Sequence, residues 1–277
     1  MNMNPVRLNR LFHADGRCVI LSFDHGLFGE PSWLDGLLDL GNIIRAHAAE
    51  KPDGITLPTG GARHLQAIPD HGKPSLLLRA DTTNAYLATR PERMMDLPVA
   101  QAVQRAVLLD AACVVSSLLT FPGQEQLIRD CWVNLDSLRS QCDAVGMPLM
   151  IEILAMTDNA GVPLVETSAA VIAPLVRLAT ELGADVIKAD PTEPVSEFAK
   201  LIDAAAGVPV LASGGIKAPD AEVLARTAAL MRAGASGIAY GRNVMWAEHP
   251  TRMTRALLHI VHGGATVEQA IDIARGK

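Results

Sequence analysis

Short apolar runs ending in small or polar residues recur along the whole chain, and this recurrence constrains the fold more than any other feature. They lie at Cys18 to Gly26, Gly54 to Gly60, Ser75 to Asp81, Ala112 to Leu119, Pro148 to Leu154, Ala184 to Asp190, Pro209 to Gly215 and Gly237 to Asn243. Most are separated by a segment of helical periodicity, such as the face formed by Leu175, Leu178, Ala179 and Leu182 or that of Leu224, Ala228 and Met231. Strand followed by helix, repeating about every 30 residues, implies parallel strands joined by helical crossovers. Eight such units close into a (β/α)8 TIM barrel, the expected fold; a doubly wound open sheet is the alternative. No linker interrupts the pattern, so residues 1–277 are expected to form a single barrel domain, a length such barrels commonly reach.

Composition narrows the class. Hydrophobic residues make up 49% and charged residues 19% of the chain, with a net charge of −6. That balance suits a globular enzyme and gives no electrostatic footprint for nucleic acid. Cys18, Cys113, Cys131 and Cys142 show no metal-binding or redox spacing and read as buried thiols. His64 and His71 have no further histidines at ligand spacing, so neither a metal nor another cofactor is expected. The first residues lack the pattern of a secretory signal and no apolar run matches a membrane span, so a cytoplasmic protein without membrane contact is expected.

In barrels of this type chemistry sits at the C-terminal ends of the strands. On the sixth run, period-two alternation puts Val186, Lys188 and Asp190 on one face. Burial disfavours the charged form of a lysine, which is also how an amine becomes a nucleophile. The competing readings of Lys188 are an internal ion pair with Asp190, Asp24 or Glu152, or a phosphate clamp. Glu152 interrupts the apolar fifth run, where it either moves protons or balances the charge of Lys188 or Arg79. The first run ends Ser22-Phe23-Asp24-His25-Gly26, which turns Asp24 inward to bind a hydroxyl or tune the lysine, with His25 beside it. Arg79 and Asp81 read equally as substrate contacts or as an ion pair.

The seventh and eighth runs end in Ser213-Gly214-Gly215 and Gly241-Arg242-Asn243. Glycine lets backbone approach an anion, and these two loops are the usual phosphate site of barrels, so Ser213, Gly214, Gly215, Gly241 and Arg242 are expected to hold a phosphate. Lys217 either reaches the same anion or starts the next helix. The segment Thr82 to Pro98, with Tyr86, Arg90, Arg93, Met94 and Met95, is long enough to be a lid or an oligomer contact.

Taken together, FDHG near the start, LGADVIK, VPVLASGG followed by IK, and AGASGIAYGRN followed by a helix containing HIVHGGATVEQA resemble the DeoC/FbaB/LacD superfamily of class I aldolases over nearly the whole chain. The resemblance implies that Lys188 is the Schiff-base lysine, Asp24 the strand-one aspartate, and Ser213, Gly214, Gly215, Gly241 and Arg242 the phosphate site. PLMIEIL is similar to the glutamate-bearing strand of the tagatose type, but that type also has a lysine on strand four, where this chain has serines. The archaeal fructose-bisphosphate type has a tyrosine near the position of Leu154. The implied activity is cleavage of a phosphorylated ketose to dihydroxyacetone phosphate, or a similar ketone phosphate, and an aldehyde. A thiolase or transaldolase-like transferase and a non-catalytic sugar-phosphate binding barrel are the alternatives. Relatives of this kind assemble, so a homo-oligomer is expected, with Trp132 and Trp246 as candidate contact residues.

Overall fold

The computed structural model describes residues 6–29, 31–89, 91–159 and 162–277. Its strands β1 (Cys18–Ser22), β2 (Gly54–Leu57), β3 (Ser75–Arg79), β4 (Cys113–Thr120), β5 (Leu149–Asn159), β6 (Val186–Ala189), β7 (Val210–Ser213) and β8 (Gly237–Tyr240) fall on the expected runs. Each pairs in parallel with the next, and β8 returns to β1 with Cys18 opposite Gly237 and Leu21 opposite Tyr240. The sheet is therefore closed, a (β/α)8 TIM barrel, and the open doubly wound alternative is excluded.

Crossovers are made by α1 (Leu40–Ala48), α2 (Thr59–Gln66), α3 (Ala102–Leu108), α4 (Glu125–Val145), α5 (Ala169–Glu181), α6 (Phe198–Ala204) and α7 (Asp220–Arg232). A short α8 (Arg242–Met245), then α9 (Pro250–Val261) and α10 (Val267–Arg275), complete the chain. Alternation along the strands sorts side chains into two cores. Cys18, Ile20, Leu77, Cys113, Val115, Met150, Val186, Leu211 and Ala239 fill the barrel interior, plugged by Leu8 and Leu11 from the segment before β1. The intervening residues, such as Val19, Ile55, Val114, Ile151 and Ile187, pack outward against the helices. Each of these aliphatic side chains contributes about 1.5–3 kcal/mol when fully buried, so the patterned strands carry much of the stability. The four cysteines are free and buried, as read.

The differences lie beyond the barrel rim. β5 runs on past Leu154 and pairs antiparallel with a short strand, Val162–Val165. Backbone pairing rather than apolar patterning extends it, so the composition of Ala155–Asn159 does not announce it. The segment Thr82 to Pro98 includes a small antiparallel pairing of Asp81–Thr83 with Asp96–Pro98. Arg90 lies outside the described residues. On α5 the fully buried positions are Ala169, Ile172, Val176 and Ala179, while Leu175 and Leu178 are partly buried beside them. Trp132 is exposed, whereas Trp246 is partly buried against the core and donates its indole N–H to the Asp35 carbonyl at 2.7 Å. Among the described residues, no helix is long and apolar enough to cross a membrane.

Candidate active site

The inward positions of β5 and β6 are in register, with Glu152 opposite Lys188. Both are buried, and Lys188 Nζ stands 2.5 Å from Glu152 Oε1. The other carboxylate oxygen, Oε2, accepts from Arg79 Nη1, so one carboxylate is held between two cations. Burial raises the affinity of Glu152 for a proton, yet Lys188 and Arg79 outweigh it and take the carboxyl down to about 2.

Arg79 is the hub beneath this pair. It is 1% exposed, with Nε 2.5 Å from Asp81 and Nη1 3.5 Å from Asp24. Its Nη2 donates to Ser117 Oγ, and its guanidinium lies 5.0 Å from the centre of the Phe28 ring. Burial opposes the charge, but Asp81, Glu152 and Asp24 override it and keep the group protonated. Of the two readings the sequence allows, the ion pair is the one this geometry displays. Asp81 is in turn held by the Ser117 backbone N–H at 2.5 Å and by the Ser116 hydroxyl at 3.0 Å. The serines of β4 thus hold the arginine and its partner, at the strand where the tagatose type carries a lysine.

Above this floor opens a cavity lined by Ser22, Asp24, His25, Phe28, Tyr86, Glu152, Leu154, Val165, Lys188, Asp190, Ser213, Gly214, Gly215, Ala239, Gly241 and Arg242. Of the site residues offered by the sequence, Arg79, Asp81 and Lys217 are not on this wall; the others are. Asp24 has its proton affinity raised by burial, against the opposing charges of Arg79 and Lys188. His25 is driven to about 3, first by burial and then by the cations Lys188 and Arg242, so it works as a neutral ring. Gly241 makes room for it: a Cβ there would come 2.3 Å from the imidazole.

The loop after β7 is braced from several sides. Asn243 donates to the carbonyls of Gly214 at 2.6 Å and Ile216 at 3.2 Å and accepts from the Ala218 N–H at 3.1 Å. Arg226 donates to the Gly214 carbonyl at 2.7 Å, and Gly215 takes a left-handed φ of +63° that suits a residue without Cβ. Arg242 makes a long 3.4 Å contact to the Gly215 carbonyl, which leaves its guanidinium at the wall between the two glycine-bearing strand ends. Lys217 pairs with Asp220 at 3.2 Å, in the first turn of α7, and is not on the cavity wall.

Three residues take roles here that the sequence reading did not assign. Asp190, considered there as a partner for Lys188, instead accepts from the Ser213 hydroxyl; burial raises its proton affinity and that bond opposes the rise. Tyr86, read as part of a lid or contact loop, reaches the cavity, packs its ring tilted against Phe28 with centroids 5.0 Å apart, and is kept protonated chiefly by burial. Asn243 looked like the end of a strand. Alternation turns Asp190 inward with Lys188, but nothing local announces its bond to Ser213 or that Tyr86 reaches the cavity wall.

The residues 18–247 match the family of DeoC/LacD aldolases. The chain is 31% identical to a 2-amino-3,7-dideoxy-D-threo-hept-6-ulosonate synthase of Halobacterium salinarum, over 96% of this chain and 94% of that one. It is 30% identical to a 3-hydroxy-5-phosphonooxypentane-2,4-dione thiolase of Escherichia coli, over 96% and 85% respectively. A solved Schiff-base-forming fructose-1,6-bisphosphate aldolase superposes with a TM-score of 0.76 at 28% identity, covering 94% of this chain and all of that chain, 100%. A buried lysine in a barrel cavity and a family match over most of the chain lead to one conclusion: this protein belongs to the DeoC/LacD family of class I aldolases and is a lyase.

Proposed function

We propose that the chain, acting as one barrel domain, cleaves a phosphorylated ketose to dihydroxyacetone phosphate, or a similar ketone phosphate, and an aldehyde through a Schiff base on Lys188. The observation that carries this reading is the Lys188–Glu152 pair at 2.5 Å on the wall of a cavity that also holds Arg242, Gly215 and Gly241. The amine attacks the C2 ketone after passing its extra proton to a neighbouring base, and a carbinolamine forms. Its nitrogen is neutral, so Glu152 loses one of its two cationic neighbours and gains proton affinity at the step where a proton must reach the departing hydroxyl. Loss of water yields an iminium, and the restored positive charge returns Glu152 to the carboxylate.

The iminium then accepts the electron pair of the C3–C4 bond as a base removes the C4 hydroxyl proton. Glu152, directly or through water, is that base, and Asp24 positions the hydroxyls and tunes the lysine. The enamine left behind takes a proton at C3, and water releases the ketone phosphate and the free amine. Ser213, Gly214, Gly215, Gly241 and Arg242 bind the phosphate, whose remote binding energy orients the reacting carbon. His25, neutral in its pocket, offers a hydrogen bond without adding charge.

Borohydride reduction in the presence of dihydroxyacetone phosphate, followed by intact-mass measurement and peptide mapping, tests the reading. The expected product is a single adduct on the peptide carrying Lys188, absent in Lys188→Met, which also loses cleavage while keeping its fold. An unmodified chain, or turnover retained by that variant, would remove the lysine from the mechanism. Similarity to a thiolase supports a second reading, transfer to an acceptor through the same lysine. It is separated by product that appears only when the acceptor is supplied.

A further inference from the structure

At the opposite end of the barrel from the cavity, the segment before β1 meets the end of α9. Arg17 of that segment donates to the Val261 carbonyl at 2.9 Å, and His262 follows α9 directly. The His262 ring is bound at both nitrogens: Nδ1 lies 2.8 Å from Asp15 Oδ2 and Nε2 lies 2.9 Å from Asp53 Oδ2. Carboxylates only accept, so both ring nitrogens carry protons in this arrangement. His13 packs its ring against the same imidazole at 5.1 Å between centroids. One ligand atom from each of His13, Asp15 and His262 falls within 4.8 Å of the others, and no other such group of histidine, cysteine and carboxylate occurs among the described residues.

We propose that His13, Asp15 and His262 form a binding site for a divalent transition-metal ion of the Zn²⁺ class, distinct from the aldolase cavity. Two imidazoles and one carboxylate are ligands this ion favours, and a water completes four-coordination. The decisive feature lies behind them. Asp53 holds His262 Nε2 and is itself fixed by the Val19 N–H at 2.7 Å, at the entrance to β1. This is the carboxylate–histidine arrangement that orients metal ligands and sets their tautomer. It aims Nδ1 at the space shared with Asp15 and His13. The ion replaces the Nδ1 proton, which leaves to solvent, while the Nε2 proton stays on Asp53.

Bonds of about 2 Å around a tetrahedral ion set ligand atoms roughly 3.4 Å apart, so the ion opens the 2.8 Å contact of Asp15 with His262 by about half an ångström and draws His13, within 4.8 Å of both, inward. His13 and Asp15 are exposed and make these movements; His262, half-buried and anchored, does not move. Lys51, Asp53 and His259 line the adjoining cleft. The bound ion clasps the start of β1 to the end of α9. Sequence spacing could not reveal it, since Asp15 and His262 are 247 positions apart.

The test is isothermal titration of the EDTA-treated, dialysed full-length protein with ZnCl₂, alongside thermal unfolding. The expected result is one equivalent bound, at least tenfold weakened in each of His13→Ala and Asp15→Asn, with a Zn²⁺-induced rise in Tm that these variants lose. Borohydride trapping at Lys188 stays unchanged in both, which separates this site from the proposed reaction. Absence of saturable binding, or equal binding by both variants, would overturn the site and leave His262 as a proton-bridged clamp. His262→Gln gives a third reading, but the two exposed positions decide the matter because neither supports the core.

Discussion

One carboxylate, Glu152, joins Lys188 at 2.5 Å through Oε1 to Arg79 through Oε2, so the proposed nucleophile and the buried arginine share a single counter-ion. The lysine's environment is consequently set by an ion network, with Asp24 and Asp81 on the far side of Arg79. A network of this kind specifies geometry more than it stabilises, because desolvation of each charge offsets most of the attraction.

Glu152→Gln should lower kcat by about 10²- to 10⁴-fold, the range for loss of a positioned proton carrier, with a smaller change in KM. It should also destabilise by about 3–5 kcal/mol near neutral pH, since two cations lose their shared partner. Because the folded-state value of Glu152 is depressed to about 2, its stabilising contribution is present above the unfolded carboxylate range and is lost as pH falls from about 4.5 to about 2. Denaturant titrations across that window should therefore show the variant's deficit shrinking with acid. A deficit independent of pH would show that the charge of Glu152 is not what matters.

Asp96 gives the opposite sign. Burial and the neighbouring Asp81 raise it to about 8, although Asn134 bonds it at 2.9 Å. The folded protein then holds a proton that the unfolded chain releases, so stability falls as pH rises from about 4 to about 8 and levels off above, at about 1.4 kcal/mol per unit at most. Asp96→Asn should flatten this slope, raising Tm at pH 8 and having little effect at pH 4. Parallel Tm–pH curves for the two proteins would contradict the raised carboxyl.

Arg242→Ala should raise KM for a phosphorylated substrate about tenfold or more while leaving an unphosphorylated analogue unaffected. A charge-assisted bond to phosphate is worth about 1.5–3 kcal/mol, which sets that scale. Steady-state kinetics with the two substrates reads the split; an equal change for both would take the phosphate away from this arginine.

Tyr86→Phe removes a hydroxyl that burial keeps protonated at the cavity wall. In the proposed reaction this phenol, which shares the cavity wall with Glu152 and Lys188, assists proton transfer, and kcat should then fall about 10- to 100-fold with Tm unchanged. Unaltered kcat would leave Tyr86 as a packing partner of Phe28.

The barrel and most of its cavity were legible because both depend on local periodicity. Alternation along β1, β5 and β6 turns Asp24, Glu152 and Lys188 inward whatever the rest of the chain does, and small residues after β7 and β8 mark the places where backbone can approach a ligand. Arg79 shows the limit. Alternation turned it inward, but whether it met substrate or carboxylates depended on how far β3, β4 and β5 are staggered around the barrel. Packing also settled what has no local pattern: Tyr86 reaching the cavity wall, Asp96 buried beside Asp81, and His262 carried onto Asp15 and Asp53 by closure of the barrel. Those contacts join residues far apart in the chain, and their partners become neighbours when the hydrophobic cores form.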